Sequence, residues 1–184
     1  MGLLGDCQGD ILVQGEAAGA KANQHISYLP DKNHIPIWLT VNQAIALFAD
    51  FYQDFATAHA EEMLTTMGIP LNKKIKALSR GMQEKVQLSL VMSRRTSLYI
   101  LDEPIGAVDP ASRDFIIATI LKNFPESSSI LLSTHIIADI EPILDMAIFL
   151  REGEIMLKDD VDKIREEKGA SLDQLFREVF KNVV

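Results

Sequence analysis

The strongest chemical signal in the chain is LYILDEP, residues 98–104, where two acids close an apolar run. A carboxylate at the carboxyl end of a strand faces the crevice in which open α/β sheets bind ligands. Asp102 there can hold Mg²⁺, directly or through water. Glu103 can orient or deprotonate an attacking water. An acid pair after a strand also has an ordinary reading as solvated loop carboxylates, since acids are mostly exposed. The second signal is LSRGMQ, residues 78–83. Ser79 can cap a helix, and Gly81 lets backbone N–H groups approach an anion at the positive helix end. Ordinary capping explains the same residues. The third signal is LLSTH, residues 131–135, where His135 follows another apolar run and can touch a phosphate or a water. A lone His is more often a packed or solvated side chain.

Regular elements must position these groups. LYIL and ILLS are continuous apolar runs, so they read as strands buried on both faces of a parallel sheet. Between them Asp109-Pro110 starts a helix, with Asp as N-cap and Pro in the first turn. A helix over 80–95 takes Ser79 as its cap. Upstream, DILVQ (10–14) and HISYL (25–29) read as short strands joined by a loop of small residues. Thr40 and Gln43 form a capping-box pair. It opens a helix whose stripe is Val41, Ala44, Ile45, Phe48, Phe51, Tyr52 and Phe55, a spacing that reads as helix core. A further helix near 57–67 stops at Gly68-Ile69-Pro70. MAIFL and EIML flank Arg151-Glu152-Gly153 as a hairpin. DDVDKIREEK reads as a solvated face or linker. Ser171 and Gln174 then cap a last helix with a Leu172, Leu175, Phe176, Val179, Phe180 stripe.

These elements predict an α/β fold, mostly parallel, with an inserted α-helical subdomain. Residues 1–34 and 96–158 are expected to form the core. Residues 35–95 form the helical subdomain and 159–184 a helical tail.

Composition sets outer bounds. The chain has 184 residues, 47% of them hydrophobic and 24% charged, which excludes disorder and collagen-like repeats. Lys and Arg number 18 against 26 Asp and Glu, a net charge of −8. That balance argues against nucleic acid as a partner. The single cysteine, Cys7, rules out an internal disulfide and a four-cysteine zinc site. No apolar run approaches bilayer length. The opening MGLLGDCQGD lacks the basic and apolar regions of a signal peptide, and Asp6 stands where a myristoylation motif needs Ser or Thr.

The order LSRGM, LYILDEP, IGAVDP, LLSTH resembles the ATP-binding cassette family, the nucleotide-binding domain of ABC transporters. Ser79 lies 23 residues before Asp102, and His135 lies 32 after Glu103, spacings that fit the family. The resemblance covers roughly residues 9–180 and implies a P-loop NTPase-like cassette fold, ATP and Mg²⁺ as cofactors, and ATP hydrolysis coupled to transport. Leu78, Ser79, Arg80, Gly81 and Met82 match the signature motif, which contacts the γ-phosphate held by an opposing subunit. Arg80 and Met82 are variants of that motif's common Gly and Gln. Asp102 matches the Walker B aspartate that helps hold Mg²⁺, and Glu103 the catalytic base. Asp109 matches the D-loop aspartate, and His135 the switch histidine. Asp31, after SYLP, stands where many members have the Q-loop glutamine. The implied partners are a transmembrane permease subunit and a second nucleotide-binding domain, identical or not. Trp38 and Ile37 are candidates for the contact with the permease's coupling helix. The implied location is the cytoplasmic face of the cell membrane.

One family element is not in this sequence. No segment reads G-x-x-x-x-G-K-[ST], the loop whose backbone N–H groups cradle phosphates. The nearest imitation, Gly15 to Ala22, lacks Gly before Lys21 and a hydroxyl after it. By resemblance MGLLGDCQ is the last turn of the helix that follows the phosphate loop, so an N-terminally truncated cassette is expected. Three functions stay open: an ATPase subunit, a non-hydrolysing interaction protein that offers Ser79 and Gly81 in trans to a partner's ATP, and a soluble cassette of DNA repair or translation. The last lacks its marks here, coiled-coil insertions or a tandem cassette.

Overall fold

The computed structural model describes residues 8–106 and 108–181. The expected N-terminal helix turn, residues 1–8, and Cys7 with it, falls almost wholly outside them. The chain divides into two compact units, one through Thr134 and one from His135.

The first unit opens with a small hairpin, β1 (Leu12–Val13) antiparallel to β2 (Glu16–Ala17), followed by a four-residue helix α1 (Ala20–Asn23). The sequence predicts a single strand and a plain loop here. The difference lies at Gln14-Gly15, both in the left-handed region at φ 53° and 78°, which turn the chain back on itself. Strands β3 (Ile26–Leu29), β4 (Leu98–Asp102) and β5 (Ser129–Ser133) form a parallel sheet in that order. Ile26, Leu98 and Ser129 lie side by side, and the register continues to Asp102 beside Ser133.

Burial along β4 and β5 alternates, contrary to the expectation of strands covered on both faces. One face, with Ser27, Leu29, Tyr99 and Leu101, is buried. The other opens towards β5, where Leu131 is 54% exposed. An apolar run marks a strand as able to be covered twice. What covers it is decided by other elements.

Between β3 and β4 lie three helices: α2 (Val41–Phe51), α3 (Thr57–Thr66) and α4 (Arg80–Met92). Thr40 caps α2 with the full reciprocal box, its Oγ1 accepting from Gln43 N while Gln43 Oε1 accepts from Thr40 N. Val41, Ile45, Leu64, Ile75, Val86 and Leu90 meet in one apolar core. Phe48 and Phe55 pack against that core, but Phe51 is 74% exposed and Tyr52 36% exposed. The helix ends at Phe51, and Tyr52 leaves in extended conformation, so the predicted stripe outruns the core. Helix α5 (Pro110–Asn123) links β4 to β5.

The second unit holds α6 (Ile137–Ile140), the hairpin β6 (Met146–Arg151) and β7 (Glu154–Asp160), and helices α7 (Val161–Lys168) and α8 (Leu172–Val179). The charged stretch read as a solvated face or linker is the end of β7 plus α7, a helix exposed over most of its surface. Val161 and Ile164 are buried on one side of α7, enough to dock an otherwise solvated helix. Ser171 and Gln174 form the expected capping box.

Candidate functional site

The carboxyl ends of β3 and β4 and the side of α4 enclose a cleft of about 40 Å³. Asp31, Glu84, Gln87, Asp102 and Glu103 line it, with Leu29, Leu88 and Ile116 among its apolar walls. The space admits a water or two, not a nucleotide.

Asp102 ends β4 beside Ser133, the last residue of β5, and its Oδ1 accepts from Ser133 Oγ at 2.6 Å. Glu103 N donates to Ser133 O at 3.0 Å and reaches Ser133 Oγ at 3.3 Å. Ser133 thus fixes both acids at once. Glu103 itself sits at φ 48°, a left-handed conformation that swings its side chain out of the strand direction. Gly106 N closes the turn onto Glu103 O at 3.1 Å. A Cβ at Gly106 would lie 3.0 Å from Glu103 Oε2, so the glycine keeps room for that carboxylate. Tyr28 faces Asp102 and Asp31. Partial burial, then the charge of Asp102 and a hydrogen bond to it, then the charge of Asp31 raise its hydroxyl pKa above 10 and keep it protonated.

Signature-like residues stand at the N-terminus of α4. Ser79 Oγ accepts from Met82 N at 3.3 Å as the N-cap. Arg80 is exposed and pairs with Glu84 at 3.1 Å. A Cβ at Gly81 would meet nothing within 4 Å, so that backbone is open to approach. Leu78 is buried in the helical core, and Met82 packs against it. Gln83 Nε2 donates to Leu78 O at 3.1 Å and holds the turn. Asp109 caps α5, accepting from Ser112 N at 3.1 Å and Ser112 Oγ at 2.7 Å.

The fold therefore gathers Asp31, Asp102 and Glu103 at one cleft. Ser79, Gly81 and Asp109 lie outside its lining, at separate exposed helix starts. His135 is exposed and opens the second unit. Sequence reading missed Tyr28, Gln87, Ser133 and Gly106. Tyr28 was within reach of it, because parallel strands place side chains two residues apart on one face.

The donor chemistry suits Mg²⁺. Asp31, Asp102 and Glu103 are hard oxygen ligands, as that ion requires. Among the described residues no group of three or more His, Cys, Asp or Glu is arranged to hold a metal. Such a site fits an ion that keeps most of its water and phosphate ligands and takes one carboxylate from protein.

Comparison with known proteins decides the family. A family model described as ABC transporter matches residues 1–106, more than half of the chain. The chain belongs to the ABC transporter family. Among curated relatives, the ABC transporter ATP-binding protein YtrB of Bacillus subtilis is 29% identical over 148 residues, 80% of this chain and 51% of its own length. YxlF of the same organism, an uncharacterized ABC transporter ATP-binding protein, is 28% identical over 93% of this chain and 59% of its own. The chain spans about half the length of these relatives. The solved structure of an ATP-binding subunit of an ABC transporter superposes with a TM-score of 0.81 at 27% identity, covering 94% of this chain and 76% of that one. The family fold is thus a P-loop NTPase-like α/β cassette, here with its parallel sheet and helices. No helix among the described residues is long and apolar enough to cross a membrane.

Proposed function

We propose that this chain supplies the water-activating and signature parts of the ATP-hydrolysing subunit of an ABC transporter. The observation that carries this reading is the shared anchoring of Asp102 and Glu103 by Ser133 at the open end of the sheet, in a chain whose α4 has in its first turn a glycine, Gly81, with open space beside it. Glu103, turned out of the strand by its left-handed backbone, orients and deprotonates a water. Asp102, held by Ser133, is the carboxylate for Mg²⁺, which when bound neutralises phosphate charge. Tyr28, kept protonated, donates to Asp102. Asp31 adds a further acid to the cleft, and His135 takes the role of the family's switch histidine. Ser79, with Gly81 and the N–H groups of the first turn of α4, receives phosphate held by a second cassette, and Asp109 contacts that cassette. Residues 35–95 act as a helical subdomain on which Ile37 and Trp38, 47% and 67% exposed, meet a membrane permease at the cytoplasmic face.

A second reading rests on the helix start at Ser79 and Gly81, which is open to approach and lies outside the lining of the carboxylate cleft. Here the chain does not hydrolyse ATP by itself and works in trans on nucleotide held by an intact partner. Mutation separates the two. If the chain's own site turns over in the assembled transporter, Glu103→Gln is expected to cut ATP turnover about 10²–10⁴-fold. Unchanged turnover removes Glu103 from its role. In the trans reading, the isolated chain binds no nucleotide, and Ser79→Ala impairs a mixed dimer with an intact cassette.

A further inference from the structure

The helical segment carries a ridge that neither the carboxylate cleft nor the helix starts use. The chain entering α2 and the chain entering α4 run side by side there, joined by a bridge between Thr40 and Lys74. Ile75 N donates to Leu39 O and Lys76 N to Ile37 O, both at 2.9 Å, and Val41 N donates to Lys73 O at 3.1 Å. Ile75 is buried in the apolar core, which pins the ridge to the helices beneath it. Lys73, Lys74 and Lys76 around it are exposed. On the facing segment Ile37 and Trp38 are exposed as well. An indole and three ammonium groups thus share one surface strip, held in place by backbone bonds.

The ridge is a basic island in an acidic chain. Residues 32–49 and 63–83 contain no Asp or Glu and hold Lys32, Lys73, Lys74, Lys76 and Arg80, while the chain as a whole has a net charge of −8. Arg80 is paired with Glu84, but none of these lysines has an ion-pair partner among the described residues. Like charges this close repel one another, and an anionic surface facing them relieves that repulsion. The residue types distinguish between anionic partners. Protein interfaces favour Arg and are depleted of Lys, whereas a basic cluster over anionic headgroups gains from each Lys or Arg alike. Trp is the side chain of the membrane interface, its ring lying at the level of the headgroups. An inserted apolar group and a basic patch together hold a protein at a bilayer more firmly than either alone.

We propose that this ridge docks the free chain on a bilayer that carries anionic lipid, with Lys73, Lys74 and Lys76 over the headgroups and Trp38, beside Ile37, inserted among them. The permease contact read for Ile37 and Trp38 belongs to the assembled transporter and replaces the lipid there; the lipid contact needs neither permease nor ATP. Trp38 is the one tryptophan of the chain, so its fluorescence reports on this surface alone. The test mixes the full chain with vesicles of phosphatidylcholine, pure or with about a third phosphatidylglycerol, and follows Trp emission and co-sedimentation. Binding to the anionic vesicles with a blue shift of Trp38 is expected, and it should fade in high salt as the headgroup charge is screened. Each lysine over the headgroups contributes about fivefold, so Lys73→Gln, Lys74→Gln and Lys76→Gln combined should weaken binding about a hundredfold. Trp38→Ser should lower co-sedimentation about tenfold. Lys122, Lys158 and Lys168 are exposed elsewhere, and replacing those three by Gln removes the same charge and should leave binding close to wild type. Four results would each overturn the proposal: no binding beyond that to neutral vesicles, binding without a change in Trp38 emission, an equal loss in the two triple variants, and an equal emission shift with soluble polyglutamate, which would make the partner an acidic polypeptide. All the substituted side chains lie outside the apolar core, and circular dichroism separates a folding defect from a binding one. No permease is present in this test, so its failure removes the lipid contact and leaves the permease reading to be judged in the assembled transporter.

Discussion

At the scale of single residues, the carboxylate cleft depends on groups that carry no catalytic chemistry. Ser133 touches Asp102 with its hydroxyl and Glu103 with its carbonyl, so one small residue sets two acids. Gly106 matters by what it lacks. Gly106→Ala would push Glu103 Oε2 aside from a 3.0 Å approach, and a flexible carboxylate end moves at small cost to folding. The expected outcome is an unfolding midpoint close to wild type with ATP turnover of the assembled transporter down about 10²-fold, the penalty of misplacing a reacting group by about an ångström. Equal turnover in the two proteins would show that Glu103 has freedom to spare. None of this is legible in LYILDEP itself, which names the acids but not their support.

At the scale of elements, the helical segment is tied to the sheet by one buried cation. Arg94, 4% exposed, makes two bonds to Asp54, with Nε–Oδ1 and Nη2–Oδ2 both 3.0 Å. It also donates to the carbonyls of Ile26 and Gln24. The Tyr52 ring lies 4.0 Å from its guanidinium carbon, which explains why that aromatic is not in the core. Asp54→Ala would leave this buried charge short of its partner, and a loss of about 3–5 kcal/mol in urea unfolding is expected. A loss below about 1 kcal/mol would mean that the two carbonyls suffice. The helix starts, by contrast, were readable in advance. Thr40, Ser79, Asp109 and Ser171 all cap as their types predict, because a cap is made within four residues of chain.

At the scale of the whole molecule, two predictions follow from surface and charge. Leu131 is open on the sheet face, and Met146, Ile148, Leu150, Ile155 and Met156 are open on the β6–β7 hairpin. The β3 and β5 edges pair with nothing further among the described residues. Such surfaces self-associate. The isolated chain is expected to elute as a broad, concentration-dependent distribution in size-exclusion chromatography with light scattering; a single monomeric mass at high concentration would contradict this. The second prediction concerns acid. Burial pushes the Glu141 carboxyl up, but the N–H groups of Leu172 and Asp173 and the guanidinium of Arg165 outweigh it and hold its pKa below 4.5. A lowered carboxylate pKa stabilises the fold at neutral pH, and that contribution is lost as pH falls from the ordinary carboxylate range through the lowered value. Wild type should therefore lose more stability between pH 7 and pH 3 than Glu141→Gln, whose side chain does not titrate. Parallel pH profiles for the two would remove Glu141 from the acid response.

By itself, the sequence determined the family, the acids at the end of β4, the helix caps and the order of elements. Each is written in residues a few positions apart or in motifs of fixed spacing. Only the tertiary structure decided that Ser133 anchors both acids, that Gly106 makes room for Glu103 and that the β5 face stays open. It also turned the charged run after residue 158 into strand and helix, through two buried side chains. The anchoring of the acids depends on side chains that meet across the fold, as Asp102 and Ser133 do 31 positions apart, and the room at Gly106 depends on the left-handed turn at Glu103. Burial and pairing at that range come from packing, which local pattern does not encode.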